Sequence, residues 1–383
     1  MPEAVIVEAV RTPIGKRNGS LAGVHPVDLS AHVLNALVDR AGVDPETIDD
    51  VVWGCVSQVG EQSSNIGRYA VLAAGWPETV PGITVNRACG SSQSAFEQAA
   101  HGVIAGQYDL VVAGGVESMS RIPLGIARTV GGEPYGPLAL ARYDNFNFNQ
   151  GTGAELIAQK WGFSRHDLDS FSSRSHARAA AAIDDGAFVD QIVPVTREDG
   201  TVFSVDEGLR RGTTPETLAK LKPSFKEDGV IHAGNASQIS DGAAALLITT
   251  PEKAKQLGLT PIAKYTAGAV SGADPIMMLT GPIPATEKLL RRTGLSIDDI
   301  GAYEVNEAFA PVPMAWAVEL GADQDRLNPL GGAIALGHPL GGSGAILMTR
   351  LIHHMRANGI RYGLQTMCEG GGTANATLVE LAQ

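Results

Sequence analysis

A correspondence between distant parts of the chain constrains its fold more than any other feature. GVDPETIDDVVWGCV at 42–56 is matched by GLSIDDIGAYEVNEAF at 294–309. Each runs from a glycine through a capping residue and the triplet Ile-Asp-Asp into an apolar strand. A second match follows. VNRACGSSQSA at 85–95 parallels the glycine-rich GGSGA at 341–345. Each leads into a helix and then a strand, at 110–115 in one half and 364–370 in the other. The period is too long for a solenoid. Two similar α/β halves imply a pseudo-two-fold axis, and a site between them draws residues from both.

Patterning fills in the halves. A strand is expected at 4–10 and a helix at 26–41, with Leu29, Val33 and Leu37 on one face. A buried strand follows at 51–56, then a helix at 65–74, a short strand at 83–86 and a small-residue helix at 90–105. Strands alternating with helices predict a mostly parallel, covered sheet. From 119 to 234 the texture changes, with Gly131-Gly132, several prolines, an Asn-rich run at 145–149 and a higher density of charge. Helices at 153–161 and 165–186 suit this stretch. The reading is therefore α/β: an N-terminal half at 1–118 plus 235–259, an inserted loop domain at 119–234, and a C-terminal half at 260–383.

Composition excludes several function classes. The formal charge is 29 − 41 = −12 without a basic run, which argues against a nucleic-acid partner. An anionic small ligand stays compatible, because local basic residues override a global charge. No secretory leader and no apolar run of spanning length is present, so no membrane span and a cytoplasmic location are expected. Cys55, Cys89 and Cys368 are far apart, odd in number and free of a CxxC spacing. That disfavours a disulfide scaffold and a metal site.

The chemistry concentrates at strand ends. Cys89 follows a strand and opens a helix, where free N–H groups would lower its pKa. His338 lies in GGAIALGHPLGGSGA at 331–345, whose six glycines suit a backbone approached closely by something else. Cys368 precedes Gly370-Gly371-Gly372, whose N–H groups suit an oxyanion. Asn306 starts NEAFA at the corresponding place in the second half. A thiolate attacking a carbonyl, a histidine activator, a second cysteine shuttling a proton and glycine N–H groups form one constellation. Cys55, within a strand, reads as a core residue.

These residues resemble the thiolases (acetyl-CoA acyltransferases). VNRACGSSQSA, NEAFA, GGAIALGHPLGGSGA and CEGGGTANA stand in that family's order and spacing, as do RTPIGK at 11–16, AGGVESMS at 113–120 and GNASQISDGAAA at 234–245. The resemblance covers essentially the whole chain. It implies a thiolase fold, layered α-β-α-β-α, with CoA and acyl-CoA as substrates and neither a permanently bound cofactor nor a metal. By the same resemblance Cys89 is the acyl-accepting nucleophile and His338 its activator. Asn306 holds a water of one oxyanion hole, Cys368 is the acid/base, and Gly370 lends an N–H to a second hole. Family CoA contacts correspond to Arg210, Phe225, Ala233, Ser237, Met278 and Phe309, with Arg211 as the substitute for Arg210. Gln150 stands where many thiolases carry a methionine against the acyl group, and the stretch 121–149 is shorter than in acetoacetyl-CoA thiolases. MCEGGGTAN and LTGPIPAT resemble an actinobacterial branch linked to breakdown of sterol-ring acyl-CoAs. The resemblance implies a homodimer, with a tetramer as the alternative, and leaves open a hydratase/dehydrogenase partner. Biosynthetic acetoacetyl-CoA synthesis and acyl-CoA binding without turnover are the competing functions.

Overall fold

The computed structural model describes residues 3–129, 131–132 and 134–382. Its strands are β1 (Val5–Arg11), β2 (Gly15–Lys16), β3 (Asp50–Gly54), β4 (Ile83–Val85), β5 (Leu110–Ser118), β6 (Val195–Thr196), β7 (Val202–Phe203), β8 (Ser240–Thr249), β9 (Ala263–Gly272), β10 (Ala302–Val305), β11 (Tyr362–Glu369) and β12 (Thr373–Leu381). The helices are α1 (Pro26–Ala41), α2 (Ile66–Ala73), α3 (Ser91–Ile104), α4 (Gly136–Arg142), α5 (Gln150–Trp161), α6 (Arg165–Asp184), α7 (Pro215–Leu218), α8 (Pro251–Leu257), α9 (Pro282–Thr293), α10 (Pro311–Leu320), α11 (Ala333–Leu336) and α12 (Leu340–Asn358). The boundaries follow local chemistry. Gly42 ends α1 in the left-handed region at φ 68°, and Ser164 with Asp167 forms a capping box at the start of α6.

The duplication is visible in the pairing. One half orders its strands β4-β3-β5-β8-β1 and the other β10-β11-β12-β9. In each, a parallel pair (β3 with β5, β10 with β11) is followed by two antiparallel ones. The halves join where β1 meets β9 over Val5↔Lys264 and Ile6↔Ala263. The expectation of a mostly parallel sheet is corrected here: the sheet is mixed. β8, β9 and β12 run antiparallel to their neighbours, and β11 reaches β12 through the tight Gly370–Gly372 turn rather than a crossover helix.

Five layers result. Helices α3 and α12 lie between the two half-sheets, α1 and α2 cover one outer face, and α9 and α10 cover the other. Strand β8 is buried along its whole length, with Leu246 facing the central helices and Leu247 facing α1. The central layer is tight because glycine lets backbones touch. A Cβ on Gly344 in α12 would lie 2.2 Å from the Gln93 backbone nitrogen of α3, and one on Gly54 would lie 2.4 Å from that of Ser92. Buried glutamines lock the contact. Gln93 Nε2 donates to Thr377 Oγ1 at 2.7 Å, and Gln365 Nε2 donates to Gln93 Oε1 at 3.1 Å and to the Gly344 carbonyl at 2.9 Å.

The segment between β5 and β8 holds α4 to α7 and the β6–β7 ribbon. Arg11 of the RTPIGK motif ties it down. Its guanidinium forks onto Asp206 at 2.7 and 3.0 Å with both side chains fully buried, and Arg11 Nε donates to Gln191.

Gly344→Ala is expected to lower unfolding free energy by about 1–3 kcal/mol, because its methyl group meets backbone rather than a movable side chain. Urea denaturation of the purified variant measures it.

Candidate active site

Gly90 caps α3, so Cys89 sits at the helix mouth with 5% of its surface exposed. The preceding Ala88 has φ 44°, a left-handed backbone unusual for a residue with a Cβ. Local bonds hold that turn: the Ala88 N–H donates to Asn86 Oδ1 at 2.9 Å, and Ser91 Oγ donates to the Ala88 carbonyl at 2.6 Å. The Cys89 sulfur accepts from its own backbone N–H and from that of Gly370. The expected thiolate is nevertheless corrected. Burial foremost, and then the carboxyl of Glu369, push the thiol up to about 12, and the two N–H groups do not outweigh them. Cys89 rests as a thiol and needs a base.

His338 is held in one tautomer by its neighbours. Ser343 Oγ donates to the Pro339 carbonyl at 2.8 Å, so it accepts the proton of His338 Nδ1 at 2.6 Å. The tautomer follows from this network. It leaves Nε2 unprotonated, where it accepts a hydrogen bond from Asn306 Nδ2 at 3.3 Å. Burial alone pushes His338 down to about 4, so the ring is neutral at pH 7. Asn306 leaves the end of β10 with its backbone N–H bonded to Thr366, and the neighbouring Glu307 accepts from Ser175 Oγ, Asn328 Nδ2 and the Ile334 N–H. The head of α12 is fixed from the other half by Glu117, which accepts from the backbone N–H groups of Val56, Ser57 and Gly341.

Cys368 lies near the end of β11 and is 1% exposed. Burial, then the charge of Cys89 across the site, hold its thiol well above the usual range. Cys55 is buried in the outer core beneath α1, as expected of a core residue, but it lies one residue past the end of β3 and not within a strand.

Cys89 and Gly370 line a cavity of about 320 Å³ together with Gln150, Phe225, Met278 and Phe309. Arg210, Ala233 and Ser237 line a separate cleft of about 530 Å³ beside Lys16 and Arg17. His338, Asn306 and Cys368 line neither. Arg211 is taken by a fork onto Asp184 at 2.5 and 2.9 Å, whereas Arg210 has no ion pair among the described residues. Gly234 lies in the turn before this cleft, where His232 bonds Asp169 at 2.7 Å and accepts the Gly234 N–H. Among the described residues no group of three or more His, Cys, Asp or Glu is placed to hold a metal ion, and no helix is long and apolar enough to cross a membrane.

Residues 4–252 match the thiolase N-terminal domain and residues 259–381 the thiolase C-terminal domain. The chain belongs to the thiolase family. It is an acyltransferase, as the motif resemblance implied. It is 50% identical to the steroid 3-ketoacyl-CoA thiolase FadA6 of Mycobacterium tuberculosis, over 99% of this chain and 94% of that one. The 3-ketoacyl-CoA thiolase of Bacillus subtilis is 44% identical over the whole of both chains. The crystal structure of the Bacillus anthracis acetyl-CoA acetyltransferase superposes with a TM-score of 0.92 at 39% identity, covering 100% of this chain and 99% of that one.

Glu369 of this thiolase escaped the sequence reading, although it stands beside Cys368 in CEGGG. Its Oε2 accepts from Thr373 Oγ1 at 2.6 Å, and Arg87 stands 3.9 Å away. Its Oε1 is buried without a partner, as is Asn375 Oδ1, and both face Gly90. Burial pushes its carboxyl up to about 7. Ionisation of Glu369 above that pH places a negative charge beside both thiols and opposes thiolate formation. Glu369→Gln is therefore expected to raise alkylation of Cys89 by iodoacetamide about tenfold at pH 8, the size of a one-unit fall in thiol pKa. The gap closes towards about pH 6, where the native carboxyl is itself protonated. Mass-resolved labelling rates across pH 6–9 check both limbs.

Proposed function

We propose that this thiolase cleaves a 3-ketoacyl-CoA with CoA, giving acetyl-CoA and a shortened acyl-CoA through an acyl-Cys89 intermediate. The observation that carries the reading is one cysteine from each half sharing a buried site, against the head of the helix α12 that a neutral histidine with an unprotonated Nε2 precedes. In the first half-reaction the Cys89 proton passes to His338 and the sulfur attacks the 3-keto carbon. The bond between C2 and C3 breaks, and Cys368 protonates the departing acetyl-CoA enolate. Its elevated pKa suits that role, because the proton is still on sulfur at neutral pH. In the second half-reaction the Cys368 thiolate takes the proton of an incoming CoA thiol. That CoA attacks the acyl group, and Cys89 leaves and recovers its proton from His338.

The N–H groups of Cys89 and Gly370 serve one oxyanion, and His338 with a water held by Asn306 serves the other. CoA lies along Arg210, Ala233 and Ser237, with Phe225, Met278 and Phe309 nearer the acyl end. Arg210 is the phosphate candidate, since Arg211 is occupied by Asp184. The similarity to the steroid 3-ketoacyl-CoA thiolase and to the Bacillus subtilis enzyme supports a degradative role, on fatty acyl or sterol-ring-derived acyl-CoAs. A cytoplasmic homodimer belongs to this reading on the strength of the family resemblance.

Intact-protein mass spectrometry after mixing with acetyl-CoA tests it. Wild type is expected to gain one acetyl group and Cys89→Ala none. His338→Ala is expected to acylate about 10²–10⁴ times more slowly, the usual contribution of a general base. No adduct on folded wild-type protein would favour binding without turnover.

A further inference from the structure

The cavity over Cys89 has one charged wall residue. Arg128 closes the short 3-10 turn Ile126–Arg128 and lines the cavity beside Leu124, Phe148 and Met278. Among the described residues no aspartate or glutamate lines it. The guanidinium forms no ion pair with any described residue, in a chain whose formal charge is −12. It lies 5.7 Å from the centre of the Tyr135 ring, and Tyr135 packs edge-on against Phe148 at 5.2 Å. An aromatic wall therefore holds this cation, with no counter-charge paired to it among the described residues. Arg128 is exposed at the cavity rim, and its planar fork of donors fits a carboxylate with two parallel bonds.

We infer that the acyl chain preferred by this enzyme ends in a carboxylate, held by Arg128 on the cavity wall. The inference rests on the thiolase reading and specifies its substrate class: 3-ketoacyl-CoAs of dicarboxylic acids. Leu124, Phe148, Met278 and Phe309 suit the methylene or ring carbons between the two ends, and Ser57, Asn149 and Gln150 add polar groups to the same wall. A methyl-ended chain leaves the cation without a partner and gains nothing from it.

Two substrates of equal length test this: 3-ketoadipyl-CoA, ending in a carboxylate, and 3-ketohexanoyl-CoA, ending in a methyl group. The readout is the ratio of their kcat/KM values in thiolysis. Wild type is expected to favour the carboxylate-ended substrate. Arg128→Met, which keeps the apolar stem, is expected to shift the ratio towards the methyl-ended one by about tenfold or more. Arg128→Lys is expected to fall between, keeping the charge without the fork. A ratio within about twofold of wild type in Arg128→Met overturns the inference. That includes the case in which both values fall together, which would assign Arg128 to the CoA portion common to both substrates. Cleavage of neither substrate by wild type overturns the thiolase reading itself, so the two failures are distinct.

Discussion

Everything in this molecule hangs on how closely α3 and α12 approach one another between the half-sheets. Gly344 lies against the Gln93 backbone, and Gly54 lies against that of Ser92. Separations of that kind are closed to any residue with a Cβ. They bring two helix heads, one from each half, to the same end of the central layer. Cys89 stands two positions before α3 and His338 two before α12. The turn after β11 adds Cys368 and Gly370 from the second half, and the Gln93–Gln365–Thr377 bonds hold that turn's strands to α3. The duplication thus supplies the chemistry as well as the architecture: equivalent chain positions in the two halves carry different side chains, and the pseudo-two-fold axis places them together.

Burial then sets the protonation states. Both cysteines keep their protons and the histidine keeps its lone pair, and desolvation is the largest cause in all three. A charged thiolate–imidazolium pair at rest would have to be held in an apolar site without solvent. The neutral arrangement avoids that cost and creates charge only when an acyl carbonyl arrives to receive it. Glu369 adds a control on the same atoms. Its carboxyl is raised to about 7 by burial, and in its charged form it disfavours either thiolate.

Much of this was legible in the sequence. Helix α1 falls at the residues its apolar spacing indicated, but the Ile-Asp-Asp triplets are not equivalent: Ile297–Asp299 is itself the short turn before β10, whereas Ile48-Asp49-Asp50 follows the Pro45–Thr47 turn and runs into β3. Cys89 at a helix head could be placed because glycine and serine crowd one side of it. The direction of its pKa could not. A helix terminus is a local feature that a sequence displays, whereas Glu369 and the surrounding apolar mass come from 280 positions away. Strand direction was lost for the same reason. Alternating strands and helices suggest crossovers, but β8 and β9 pair with strands from remote parts of the chain, and β12 folds straight back on β11 as a hairpin. Arg128 carries no local signal beyond being a cation in a glycine-rich stretch, and only the packing of Tyr135 on Phe148 gives it a place on the cavity wall.

The central claim is that two cysteines from the two halves divide one reaction, Cys89 taking the acyl group and Cys368 managing the proton of the acetyl-CoA enolate. Single-turnover mass spectrometry of Cys368→Ala tests it most directly, because the two half-reactions differ in their need for that proton. The account predicts that acetyl-CoA still acetylates Cys89 in this variant, since no enolate leaves, while a 3-ketoacyl-CoA no longer produces the acyl-enzyme at a measurable rate. Cleavage of the 3-ketoacyl-CoA at the wild-type rate would contradict it.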